Sequence, residues 1–145
     1  MITVTEDAFR LAEAFTISRG SKTVARVLTV RVMRDGATGW GECVPYARYG
    51  ETPDSVRAQI ESLPHGISRA RLQDTLPPGS ARNALDCALW DVDAKLAGKR
   101  VWQMAGLPRP SALATAYTLS LARPEEMQAA AALNAHRPIL KIKLG

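Results

Sequence analysis

Two lysines, Lys141 and Lys143, stand one residue apart in the apolar segment PILKIKLG, residues 138–145. On a strand, residues i and i+2 point to the same side, so both ammonium groups share one face. Like charges that close disfavour each other, which favours a neutral, proton-accepting lysine. Such a lysine is a competent general base for a proton that is hard to remove. Taken alone, the pattern favours a plainer alternative, an edge strand carrying two solvated lysines. The apolar flanks Ile139, Leu140, Ile142 and Leu144 weigh against that, since they suit a strand buried in a sheet.

Two further stretches bear groups that bind. ECVPYARYGET (42–52) sets an acid, two tyrosines, an arginine and a glycine between a strand and a helix, where binding residues often lie. FTISRGSKT (15–23) reads as a loop with Arg19, Lys22 and the hinge candidate Gly20, a segment able to close over a carboxylate. Each reads as well as an ordinary solvated turn. Asp86, Asp91 and Asp93 do not converge on one ion from a helix. Asp86 is expected to be a structural hydrogen-bonding group and the other two solvated. His65 and His136 have no ligand spacing.

These groups need elements to position them. Residues 2–11 and 22–34 read as strands, the second with Val24, Leu28, Val30 and Val32 on one face. Asp35-Gly36 signals a turn into a returning strand at 38–45. A helix follows Thr52 as N-cap and Pro53 at N1, with Val56, Ile60 and Leu63 inward. A short helix spans 68–75. The strongest helix runs from a capping Ser80 to a terminating Gly98, with Ala81, Ala84, Leu85, Ala88, Leu89, Val92 and Leu96 as its apolar stripe. Its alanines let a neighbour approach closely. GLPRPSA (106–112) reads as a linker. Strand 113–121, helix 123–135 and strand 138–145 then form a βαβ unit with parallel strands. Such a unit alone leaves an apolar sheet edge and buries too little surface.

Composition narrows the classes. Of the 145 residues, 46% are hydrophobic and 23% charged, as in a globular protein rather than a disordered one. The net charge of +5 is dispersed, and with 6% aromatic residues it lacks the interleaved pattern of a nucleic-acid surface. No apolar run approaches a membrane span, and MITVTEDAF lacks the regions of a secretion signal. Cys43 and Cys87 follow no metal spacing, so two reduced structural thiols in a cytoplasmic protein are expected.

Together these pieces resemble the enolase superfamily in its muconate-lactonizing subgroup, and within it the dipeptide epimerases acting on L-Ala-D/L-Glu. ARNALDCALWDVDAKLAGK is similar to the capping-domain helix signature of that subgroup. GWGECVPYARYGET and FTISRGSKTVARV resemble the two capping segments, and LKIKLG the Lys-x-Lys of the second barrel strand. The resemblance implies an α+β capping domain, with a three-stranded antiparallel sheet plus helices, at 1–108. The first βαβ unit of an incomplete TIM-type barrel follows at 109–145. It implies Lys143 as the acid/base on one face of a substrate α-carbon, with Lys141 as its tuning neighbour. Thr118 would touch substrate, and Arg19, Lys22 and Tyr49 would take the acidic end of a small dipeptide. Mg2+ is expected for the complete enzyme, with its ligands and the second base outside this chain. The chain alone is expected to be inactive, with homo-oligomer formation left open. The alternatives are a cycloisomerase or dehydrating synthase of the same subgroup, a non-catalytic chain that binds a complementing one, and, least favoured, a nucleic-acid module.

Overall fold

The computed structural model describes all 145 residues, Met1–Gly145. Three antiparallel strands come first: β1 (Ile2–Ile17), β2 (Gly20–Arg34) and β3 (Ala37–Cys43), in the order β1-β2-β3. Asp35 and Gly36 both take positive φ, 49° and 80°, the turn that matches strand twist in a two-residue hairpin. The register Leu28↔Cys43, Val30↔Gly41 and Val32↔Gly39 puts these six residues on one face, and all six are buried.

Helices α1 (Pro53–Glu61), α2 (Arg69–Thr75) and α3 (Ser80–Leu96) follow. Thr52 caps α1 as expected, accepting from the Ser55 amide at 3.1 Å while Ser55 Oγ accepts from the Thr52 amide. Helix α3 ends in a Schellman turn. The Lys99 amide reaches Ala94 O, the Gly98 amide reaches Lys95 O, and Gly98 is left-handed at φ 61°. Buried side chains of β2, α1, α2 and α3 (Leu28, Val30, Val56, Ile60, Leu72, Leu85 and Leu89 among them) form one core. Gly39 and Gly41 lie directly on the Ala84/Ala88 stripe: a Cβ at Gly41 would fall 1.9 Å from Ala84 O. The small residues of α3 therefore do admit a strand at close range. A short α4 (Val101–Met104), absent from the sequence reading, follows the Schellman turn. Beyond it lie β4 (Tyr117–Leu119), α5 (Pro124–Leu133) and β5 (Leu140–Ile142), with β4 and β5 parallel.

The chain divides into two compact units, Met1–Ala8 with Arg26–Arg109, and Phe9–Ala25 with Pro110–Gly145. In the second, Leu119 is the one buried apolar side chain.

Several expectations need correction. The loop expected at 15–23 is a continuation of the hairpin, with only Ser18 and Arg19 in the turn. Residues 9–25 bury little, so the ladder there is held by backbone pairing and leaves no apolar alternation to read. Val24, read on one face with Leu28, Val30 and Val32, is exposed while those three are buried. Ser80 is the first helical residue rather than the cap, which is Gly79. The expected strands 113–121 and 138–145 shorten to three residues each.

Candidate functional site

Both lysines lie where β5 ends. Thr118 is the Cα partner of Lys141, and parallel partners point the same way. Thr118 and Lys141 therefore stand side by side on one face, while Leu119 points to the other. Lys143 sits one residue past β5, yet its amide donates to Leu119 O at 3.2 Å, so the ladder carries on through it. By the two-residue period, Thr118, Ser120, Lys141 and Lys143 make one polar row at the carboxyl ends of adjacent parallel strands. Lys143 is half-buried and Lys141 exposed. The flanking apolar residues Ile139, Ile142 and Leu144 are also exposed in this chain.

The distal hairpin belongs to the same unit. Arg19 is in its turn and Lys22 on the first part of β2. Thr16 on β1 meets the segment after β4: the Leu121 amide donates to Thr16 O at 3.0 Å, and the Thr16 amide approaches Ser120 Oγ at 3.4 Å. Between the hairpin, β4 and α5 lies a cavity of about 560 Å³, whose polar lining includes Glu13, Thr16, Thr118, Ser120 and Asn134. At its α5 side Arg123 donates to Glu126 at 2.6 Å, which holds the Glu126 carboxyl below its ordinary value. The structure thus groups Arg19, Lys22, Thr118, Lys141 and Lys143 in one unit.

Tyr49 belongs to the other unit. It lies on a single 3-10 turn, Ala47–Tyr49, with its ring 75% exposed and edge-on to Tyr46 at 6.3 Å. Gly50, at φ 72°, reverses the chain. The next residue does more than its position in the sequence suggests. One Glu51 carboxylate oxygen accepts from the Ser80 amide at 2.7 Å, and the other from Ser80 Oγ at 2.6 Å and the Tyr46 amide at 3.3 Å. These bonds, from Ser80 above all, hold the Glu51 carboxyl below its usual value. One carboxylate so satisfies the start of α3 and ties down the tyrosine turn.

No three His, Cys, Asp or Glu side chains come together in a group able to hold a metal ion, so these residues do not by themselves fit a magnesium site. Asp86 accepts from Gln73 Nε2 at 3.3 Å, the structural role expected for it. Asp91 and Asp93 are not merely solvated: Asp91 accepts from the Trp40 amide and Lys95 Nζ, and Asp93 pairs with Arg34. His65, left without a role, accepts from the Ile2 amide at Nδ1.

Two residues escaped the sequence reading. Ser120 was legible in principle, two positions beyond Thr118 on the same face. Glu51 and Ser80 are 29 residues apart, and nothing local in either signals the other.

No helix is long and apolar enough to cross a membrane. A family model described as the N-terminal domain of mandelate racemase / muconate lactonizing enzyme matches residues 1–106. The chain is 42% identical over 149 residues to L-Ala-D/L-Glu epimerase of Escherichia coli (strain K12), covering 99% of this chain and 46% of that protein. Among solved structures, an enolase family member from Agrobacterium tumefaciens with homology to dipeptide epimerases has bound sodium and L-Ala-L-Glu. It matches with a TM-score of 0.92 at 49% identity, over 99% of this chain and 45% of that one. The dipeptide epimerase from Cytophaga hutchinsonii, complexed with Mg and D-Ala-L-Val, matches at 0.84 and 27% identity, over 99% and 43%. This chain therefore spans less than half the length of these relatives. With the three-stranded cap, the helix signature and the parallel βαβ unit in place, the chain belongs to the mandelate racemase / muconate lactonizing enzyme family of the enolase superfamily.

Proposed function

We propose that this chain supplies the capping domain (1–108) and the opening βαβ unit (109–145) of a cytoplasmic dipeptide epimerase acting on L-Ala-D/L-Glu. The observation that carries the proposal is the polar row at the ends of β4 and β5, with Thr118 paired to Lys141 and Lys143 continuing the ladder. Active groups in barrel enzymes belong at the carboxyl ends of strands. The named activities of the relatives support the substrate class.

In this reading, Lys143 moves the α-proton on one face of the substrate and a second base outside these residues serves the other. Inverting a stereocentre needs both, because the proton must leave one face and return to the other. Lys141 sets the charge beside Lys143, Thr118 touches the bound dipeptide, and Arg19, Lys22 and Tyr49 receive its acidic end. Taking a proton from a carbon next to a carboxylate builds a second negative charge there. A bound magnesium ion would offset that charge, and no cluster of His, Cys, Asp or Glu side chains in this chain is able to hold one.

The test is the interconversion of L-Ala-L-Glu and L-Ala-D-Glu, followed together with α-proton exchange in heavy water. Lys143→Ala in the complete enzyme is expected to lower the interconversion of L-Ala-L-Glu and L-Ala-D-Glu, which needs both bases, about 100-fold or more, the usual worth of a positioned base. The isolated 145-residue chain, its mass verified, is expected to show no turnover. Epimerisation by that chain, or undiminished interconversion of the two epimers by the Lys143 variant, refutes the proposal.

A further inference from the structure

β1 is the outer strand of its sheet, so one of its edges offers unpaired amides and carbonyls. Near the turn that edge is used. Ser120 Oγ donates to Ala14 O at 3.2 Å and lies 3.4 Å from the Thr16 amide, which donates to it. The Leu121 amide donates to Thr16 O at 3.0 Å. Thr16 is thus held by both backbone groups, and its own hydroxyl donates to Ser21 Oγ across the hairpin at 2.9 Å. Ser21 immediately precedes Lys22, and Arg19 is two residues earlier. A continuous line of hydrogen bonds therefore joins the end of β4 to the hairpin end that carries Arg19 in its turn and Lys22 on β2.

We propose that Ser120 is a positioning residue: its hydroxyl clasps the edge of β1 and fixes where Arg19 and Lys22 stand relative to the row of Thr118, Lys141 and Lys143. Ser120 shares the face of Thr118 but spends its oxygen on β1, so its effect on substrate passes through the turn. The clasp itself rests on geometry. Its consequence for the dipeptide's acidic end rests on the function proposed above.

The experiment compares Ser120→Ala with Ser120→Thr, which keeps the oxygen, in the complete enzyme. Amide hydrogen exchange at Thr16 and Leu121 reads the clasp without any substrate. Loss of the hydroxyl is expected to speed both roughly 5- to 10-fold, as for one local hydrogen bond, and threonine to restore them. With L-Ala-L-Glu, KM is expected to rise about 3- to 10-fold in Ser120→Ala with a smaller change in kcat. A dipeptide without a side-chain carboxylate should show no such rise. Unchanged exchange at Thr16 and Leu121 overturns the clasp. Faster exchange with equal KM changes for both dipeptides overturns the positioning role and leaves only a structural one. A wild-type enzyme that neither binds nor turns over L-Ala-L-Glu refutes the dipeptide reading instead, and amide exchange still decides the clasp.

Discussion

Gly41→Ala puts a methyl group where α3 already is. The new Cβ would lie 1.9 Å from Ala84 O and 2.9 Å from the Ala88 amide nitrogen, both backbone atoms that no rotamer change can move. Ordinary contact begins at 3.4 Å, so strand and helix would have to part by about 1.5 Å, the difference between the two distances. Gaps of 0.5–1 Å already forfeit a quarter to a half of a dispersion contact, and α3 contributes Ala84, Leu85, Ala88, Leu89 and Val92 to the core, none more than 2% exposed. Overpacking usually costs about 1–3 kcal/mol. With the core loosened as well, about 3–5 kcal/mol is expected, against a total stability of roughly 5–15 kcal/mol. At about 4–8 °C per kcal/mol for a domain of this size, Tm should fall by at least about 12 °C in a circular-dichroism melt. Gly66→Ala is the matched control, since nothing lies within 4 Å of its Cβ position and its φ is ordinary. That variant should stay within about 1 kcal/mol of wild type. A Gly41→Ala protein melting within 2–3 °C of the control (roughly half a kcal/mol) would refute the close approach of β3 to α3.

The Glu51 carboxyl, held below its ordinary value by Ser80, stabilises the fold above the unfolded-state value near 4.5, and that contribution fades as pH falls through the lower folded value. Glu51→Gln should therefore cost about 1 kcal/mol at pH 7, with the gap to wild type closing in urea titrations below pH 4 (about the carboxylate range). The two thiols should separate cleanly. Burial raises Cys43 to about 11, and burial with the nearby Asp86 raises Cys87 to a lesser degree. Since Cys87 is exposed and Cys43 buried, iodoacetamide at about pH 8 should modify Cys87 at least tenfold faster, through its thiolate. Equal rates in the native protein would contradict the packing around Cys43.

Elements whose signal is local were legible in the sequence. Thr52-Pro53 marks the start of α1, Asp35-Gly36 the β2–β3 turn, and Gly98 the end of α3, because each is a short-range constraint on backbone dihedrals. The apolar stripe of α3 likewise foretold its core face from Ala81 to Val92, but not at Leu96, which is exposed in the last turn. What escaped depends on distant partners. The hairpin beyond Ala8 is exposed, so it carries no alternation, and its order comes from pairing along the chain and from Ser120 more than 100 residues away. The site was half legible: the two-residue period gave the shared face of Lys141 and Lys143. It could not give the Thr118↔Lys141 pairing, which depends on the register of two strands separated by a helix.

The reach of that clasp also sets a clock. Thr16 and Ser120 are 104 residues apart, and a ribosome adds about 5–20 residues per second. The outer edge of β1 therefore waits roughly 5–20 s during synthesis before its partner exists. An unpaired strand edge is a template for wrong partners over that interval. The charged residues along this stretch, Glu6, Asp7, Arg10 and Glu13, are the kind of side chain that discourages such pairing. A nascent chain stripped of them should aggregate before it is ever complete.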